Sequence, residues 1–146
     1  MKVVIDSNVI FHAILGKNAK TASKKILERV MAGGLQAYTC DVLIGEMERV
    51  IKEDPKLKTI DPIYFQEFVN RLLEWLHFVA MKDLEHNQKM LNEIGNDWYL
   101  IAVARNVSAE YIRTYDTHLL KKKAELNSER ITIIDSEEFV QTLRLK

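Results

Sequence analysis

Short apolar runs alternate along the chain with longer stretches in which apolar residues recur every three or four positions. Val3, Val4 and Ile5 form a brief β-branched run of the kind a buried strand needs. In residues 19–31, Ala22, Ile26, Leu27, Val30 and Met31 fall at helical spacing, and Gly33 and Gly34 stop them. Residues 36–40 predict a second strand. Asp41 is placed to cap a helix with Leu43, Met47, Val50 and Ile51 on its apolar face, ending before Pro55.

Asp61 followed by Pro62 predicts a capped helix start, because proline's missing N–H is harmless in the first turn. Phe65, Phe68, Val69, Leu72, Leu73 and Leu76 then make an apolar stripe, and residues 78–81 predict a strand. Asp83 is placed to open a helix carrying Leu84, Met90, Leu91 and Ile94, which Gly95 and Asn96 terminate. Asp97 opens the next helix, with Leu100, Ile101 and Ala104 on its buried side; strands follow at 111–115 and 131–134, and a last helix begins near Ser136. Strands alternating with helices of this length predict an α/β fold, three layers α/β/α, around a mainly parallel sheet.

Composition narrows this to one domain over residues 1–146, since 146 residues at 47% hydrophobic content suffice for a substantial core and no repeat or linker divides them. The single cysteine, Cys40, cannot form an internal bridge, and no Cys/His cluster has zinc spacing. No secretory leader and no run of eighteen apolar residues is present, so a soluble intracellular, cytoplasmic protein without membrane association is expected. Twenty-one basic and 21 acidic residues cancel, which excludes global attraction to a polyanion. Local attraction stays open, because Arg105, Arg113 and the run Lys121, Lys122 and Lys123 lie in sequence near two acids singled out below; a solvated helix face explains the lysine run equally well.

Those acids carry the candidate chemistry. Asp6 and Asp116 follow predicted strands, and Glu46 and Asp97 lie near the starts of predicted helices, so all four can face the carboxyl edge of the sheet, where open α/β folds bind ligands. Asp6 is the least ordinary, because an apolar strand leads straight into it. Asp41, Asp61 and Asp83 suit capping roles, and Asp97 taken alone suits one equally well. Carboxylates packed together repel unless a cation lies between them, and all-oxygen ligation favours Mg2+ or Mn2+ over zinc. Such an ion polarises a phosphodiester and activates water, which makes phosphate the expected substrate group.

Four segments resemble the PIN domains, metal-dependent nucleases found among toxin–antitoxin ribonucleases and RNA-processing proteins. They are the run from Asp6 through Ser7 and Asn8 to Ile10, the run from Cys40 to Glu46, the helix opened by Asn96 and Asp97, and the strand that leads into Thr114, Tyr115 and Asp116 with Leu119 and Leu120 behind it. The resemblance spans essentially the whole chain in order. It implies a metal-dependent endoribonuclease acting on RNA, with Asp6, Glu46, Asp97 and Asp116 as catalytic metal ligands and Asn8 and Thr114 orienting them through hydrogen bonds. Thr114 also suits a plain β-branched strand position. It implies either the toxin of a toxin–antitoxin pair, with an antitoxin as partner, or an RNA-processing factor.

One departure is His118, where many members carry a further acid; an exposed loop histidine and a donor to substrate phosphate both suit it. Trp98 and Tyr99 suit base stacking or core packing. The stripe from Phe65 to Leu76 suits the core or the surface of a homodimer. The competing class is a PIN-like module that binds RNA or protein without cutting, against which four intact acids argue. A phosphatase of the haloacid dehalogenase kind wants an acid where Asn8 stands, and a receiver domain wants an acidic pair at the first strand; neither pattern is present.

Overall fold

The computed structural model describes residues 1–15, 22–42, 45, 49, 53, 55, 61–114, 117–121 and 130–144. Glu46, Asp116, Lys122, Lys123 and most of the helix expected after Asp41 lie outside the described residues.

Five strands, β1 (Lys2–Ile5), β2 (Gln36–Cys40), β3 (Leu76–Val79), β4 (Tyr111–Arg113) and β5 (Thr132–Ile134), form one all-parallel sheet in the order β3, β2, β1, β4, β5. Between them run α1 (Ser7–Leu15), α2 (Ala22–Met31), α3 (Pro62–Leu73), α4 (Gln88–Ile94), α5 (Trp98–Val107), α6 (Thr117–Leu120) and α7 (Ser136–Arg144). The first strand is central because Val3, Val4 and Ile5 are all wholly buried, which only a strand covered on both faces allows. Successive side chains of a strand point to opposite faces. Val3 and Ile5 accordingly pack with Val9, Ile10, Leu27, Val30, Leu72 and Phe139 of α1, α2, α3 and α7. Val4 packs on the other face with Ile112, Ile133 and the body of α5. Two cores flank one sheet, so the architecture is the expected three layers.

Strand β4 ends at Arg113, short of the expected 115, and three other elements differ from the sequence pattern. Helix α1 has no counterpart in it: Val9, Ile10 and Ala13 are buried and Phe11 is half-buried, and so apolar a segment offers no polar face to mark a 3.6-residue period. The helix expected from Asp83 begins at Gln88, because Asp83 closes a 3-10 turn (Met81–Asp83) and Asn87 supplies the cap, its side chain accepting from the Met90 amide at 3.2 Å. Strand β3 begins two residues earlier than the pattern predicts, at Leu76, which faces the core.

Local signals held elsewhere. Asp61 caps α3 by accepting from the Ile63 amide at 2.9 Å, with Pro62 in the first turn. Gly95 ends α4 at φ 63, a left-handed conformation that costs glycine little. On α3, Leu72 is buried and Phe68 packs against the same core, whereas Ile63 and Tyr64 remain 70% and 57% exposed.

Candidate active site

The strand order reverses between β1 and β4: the chain builds outward on one side through β2 and β3, then returns to build β4 and β5 on the other. Such a switch point leaves a crevice beyond the carboxyl ends of the two central strands. Asp6 and Thr114 are the residues immediately past those ends. The backbone sets them side by side, since Ile5 pairs with Arg113 and the Asp6 amide donates to the Arg113 carbonyl at 3.0 Å. Asp6 also opens α1, its carbonyl accepting from the Val9 amide at 3.1 Å, so the positive end of that helix lies at the same place.

The side chains complete the arrangement. Asp6 is 4% exposed and Thr114 wholly buried. Thr114 Oγ1 donates to Oδ2 of Asp6 at 2.8 Å and accepts from Asn8 Nδ2 at 3.4 Å, so its hydroxyl works as donor and acceptor at once. Ser7 Oγ donates to the other carboxylate oxygen at 3.3 Å. Neutral hydroxyls on both oxygens fix the rotamer of Asp6.

Asp97 closes a 3-10 turn (Gly95–Asp97) at the head of α5 and is half-buried. Its side chain makes no capping hydrogen bond to α5, so the capping role that suited it in isolation is not what holds it there. Glu46 and Asp116 lie outside the described residues, and among those described no three of His, Cys, Asp and Glu gather closely enough to hold a metal ion.

Of the basic residues, Arg113 requires a correction. Expected near the acids as a contact for RNA, it is wholly buried: Nη1 donates to the carbonyls of Ile134 and Asp135, and the guanidinium lies 4.6 Å from the Phe139 ring centroid. A group sealed in the core cannot meet a polyanion. Arg105 is exposed but pairs with Glu85 at 2.7 Å and lies over Trp98 at 5.1 Å. It lines a cavity of about 420 Å3 with Ser108, Glu110 and Arg130, residues that precede β4 and β5 and therefore sit at the edge of the sheet opposite Asp6. Lys121 is exposed just past α6, which contains His118; Lys122 and Lys123 fall outside the described residues. Trp98 and Tyr99 are 1% and 5% exposed, so they pack rather than present faces to a base.

Sequence reasoning gave no role to Ser7 and misplaced Arg113. The available signals were a hydroxyl directly after the strand-terminal acid and a lone charge in an otherwise apolar strand. Asp41, expected as a helix cap, accepts from the Met81 amide at 2.9 Å and ties the end of β2 to the end of β3. That amide holds its carboxyl below the usual carboxylate range, while burial pushes the neighbouring Cys40 thiol up to about 11.

A buried, hydroxyl-oriented carboxylate at the switch point of a parallel sheet makes the carboxyl edge the candidate site of this α/β protein. The model of the PIN domain family matches residues 2–118, and the chain belongs to that family. PIN domains are generally nucleases, act on RNA and commonly use divalent metals. No curated protein matches the chain. Among the described residues no helix is long and apolar enough to cross a membrane.

Proposed function

We propose that this protein is a Mg2+- or Mn2+-dependent endoribonuclease of the cytoplasm that hydrolyses RNA phosphodiester bonds. The observation that supports it most directly is the Thr114 hydroxyl donating to the buried Asp6 carboxylate at the switch point. A carboxylate oriented there by two hydroxyl donors fits a hard cation through all-oxygen ligation. In this reading Asp6 and Asp97, together with Glu46 and Asp116 from the family's motifs, hold the ion. When bound it supplies charge neutralisation to the anionic phosphate and Lewis-acid polarisation of the scissile bond.

The chain's own residues do the rest. Thr114 and Ser7 keep the Asp6 carboxylate in one orientation, and Asn8 keeps the Thr114 hydroxyl turned toward it. Helix α1 directs the positive end of its dipole at the same point, where an anionic substrate group is favoured. Substrate is RNA, and the biological setting is the toxin of an antitoxin pair or an RNA-processing step; a homodimer is part of the proposal.

Purified protein should cleave single-stranded or looped RNA with Mg2+ or Mn2+ and stop in excess chelator. Asp6→Asn should abolish cleavage while the protein stays folded, because it removes a charge without changing volume. Full activity in chelator, or in the folded Asp6→Asn protein, overturns the proposal.

A further inference from the structure

Among the described residues Arg113 is second in volume only to Trp98 among the fully buried side chains, and it carries a charge. A guanidinium in a core has lost its water, so each hydrogen bond it does make holds its acceptor firmly. Here Nη1 donates to the Ile134 carbonyl at 2.6 Å and also to the Asp135 carbonyl, and the group stacks on Phe139. Asp135 in turn starts α7: its carboxylate accepts from the Glu138 amide at 2.9 Å and its carbonyl from the Phe139 amide at 3.1 Å. One side chain therefore fastens the end of β5 and the start of α7 to the end of β4.

The fastening reaches the candidate site through two backbone bonds. The Ile134 carbonyl that Arg113 grips also accepts from the Thr114 amide, at a long 3.3 Å. The carbonyl of Arg113 itself accepts from the Asp6 amide at 3.0 Å. Both residues whose side chains meet in the site thus have their amides anchored on Arg113 or on the carbonyl it holds. A 3.3 Å bond alone holds its acceptor weakly, whereas a charge-assisted one at 2.6 Å holds it firmly.

We propose that Arg113 is a positioning residue. Its guanidinium fixes the Ile134 carbonyl, and through it the Thr114 amide, so that the Thr114 hydroxyl stays on Oδ2 of Asp6. This rests on the reading of Asp6 as a metal-bearing acid. An arginine that only fills the core would be replaceable by methionine, which covers Phe139 with a similar stem; a positioning arginine would not.

Amide hydrogen exchange followed by NMR on the full, metal-free chain tests it, comparing the parent with Arg113→Met and Arg113→Lys. In Arg113→Met the Thr114 and Asp6 amides should exchange at least about tenfold faster relative to those of Val4 and Ile112, because local release raises exchange only where it occurs. Arg113→Lys, which retains one donor able to reach the Ile134 carbonyl, should recover part of that protection. If Arg113→Met does not fold, Arg113→Lys carries the same comparison. Exchange rising by one common factor at all four amides, or not rising at all, overturns the proposal.

On the same proteins, calorimetry should show Mn2+ binding about tenfold weaker in Arg113→Met, the size expected when a group that orients a ligand is lost. Asp6→Asn should show binding lost. An Asp6→Asn protein that binds Mn2+ like the parent would overturn the metal reading while leaving the exchange result standing on its own.

Discussion

The Thr114 hydroxyl and the Asp6 carboxylate meet at 2.8 Å although 108 positions separate them in the chain. They lie past the ends of β4 and β1, the two strands between which the sheet changes its direction of growth. Thr114→Val keeps the shape and leaves the carboxylate without that donor. It should cost about 1–2 kcal/mol of stability, since the hydroxyl is buried, and lower metal-dependent cleavage about 10–100-fold. Thr114→Ser should stay near the parent. Melting curves with Mn2+ titrations of cleavage measure both effects, and a valine variant with parental activity would remove the hydroxyl from the site.

Cys40 ends β2 with its thiol buried, and burial pushes it from 9.0 up to about 11. A thiol that holds its proton more tightly when folded stabilises the protein fully below its unfolded value, and that contribution fades as pH rises through the folded one. Stability should therefore decline between 9.0 and about 11, and Cys40→Ala should flatten that alkaline limb. Urea midpoints across the interval check this; identical limbs in the two proteins would show that another group governs it.

Trp98 is buried beneath Arg105, and its indole nitrogen finds no hydrogen-bond partner among the described residues. An unsatisfied buried N–H costs about 1–3 kcal/mol, which offsets much of what the larger ring gains by burial. Trp98→Phe should therefore stay within about 1 kcal/mol of the parent. Leu100→Ala, in the same helix, should cost about 2–5 kcal/mol for its cavity. Denaturant titrations compare them, and equal losses would mean that the indole N–H is bonded in solution.

The homodimer is tested at the sheet edge. Phe68 packs against the core, so Phe68→Glu would probe folding and not association. Among the described residues the large exposed apolar side chains are Ile63, Tyr64, Trp75, Phe78 and Met81, around the ends of α3 and along the edge strand β3. Sedimentation at micromolar concentration should give a two-fold dimer that Phe78→Lys dissociates. A monomeric parent would remove the dimer from the proposal, and a dimer indifferent to Phe78→Lys would move its interface elsewhere.

What the sequence made legible was local. A β-branched run before Asp6 marked the central strand, Asp61 before Pro62 marked a helix start, and Gly95 marked a helix end, because each signal lies within a turn of the feature it creates. Helix α1 stayed hidden because helices read from sequence need a polar face, and this one is apolar nearly all round. Asp83 suits a cap by residue type, but the 3-10 turn after β3 takes it up and moves the helix start to Asn87. Arg113 read as a surface cation because the carbonyls to which its Nη1 donates lie 21 and 22 positions away and approach it only once β5 pairs with β4. The apolar run before Asp6 put it at the carboxyl end of its strand, where it stands, without revealing Ser7 as the donor to its second oxygen.

Strand β1 is the first segment of the sheet along the chain, yet it occupies the middle, with β2 on one side and β4 on the other. A polypeptide released before Tyr111 has only half of that environment: the open flank of β1 exposes an unpaired ladder of amides and carbonyls beside Val3, Val4 and Ile5. Such a fragment has Asp6 but no Thr114 to orient it. The edge whose opening leaves Asp6 without its donor is therefore the same edge that invites aggregation.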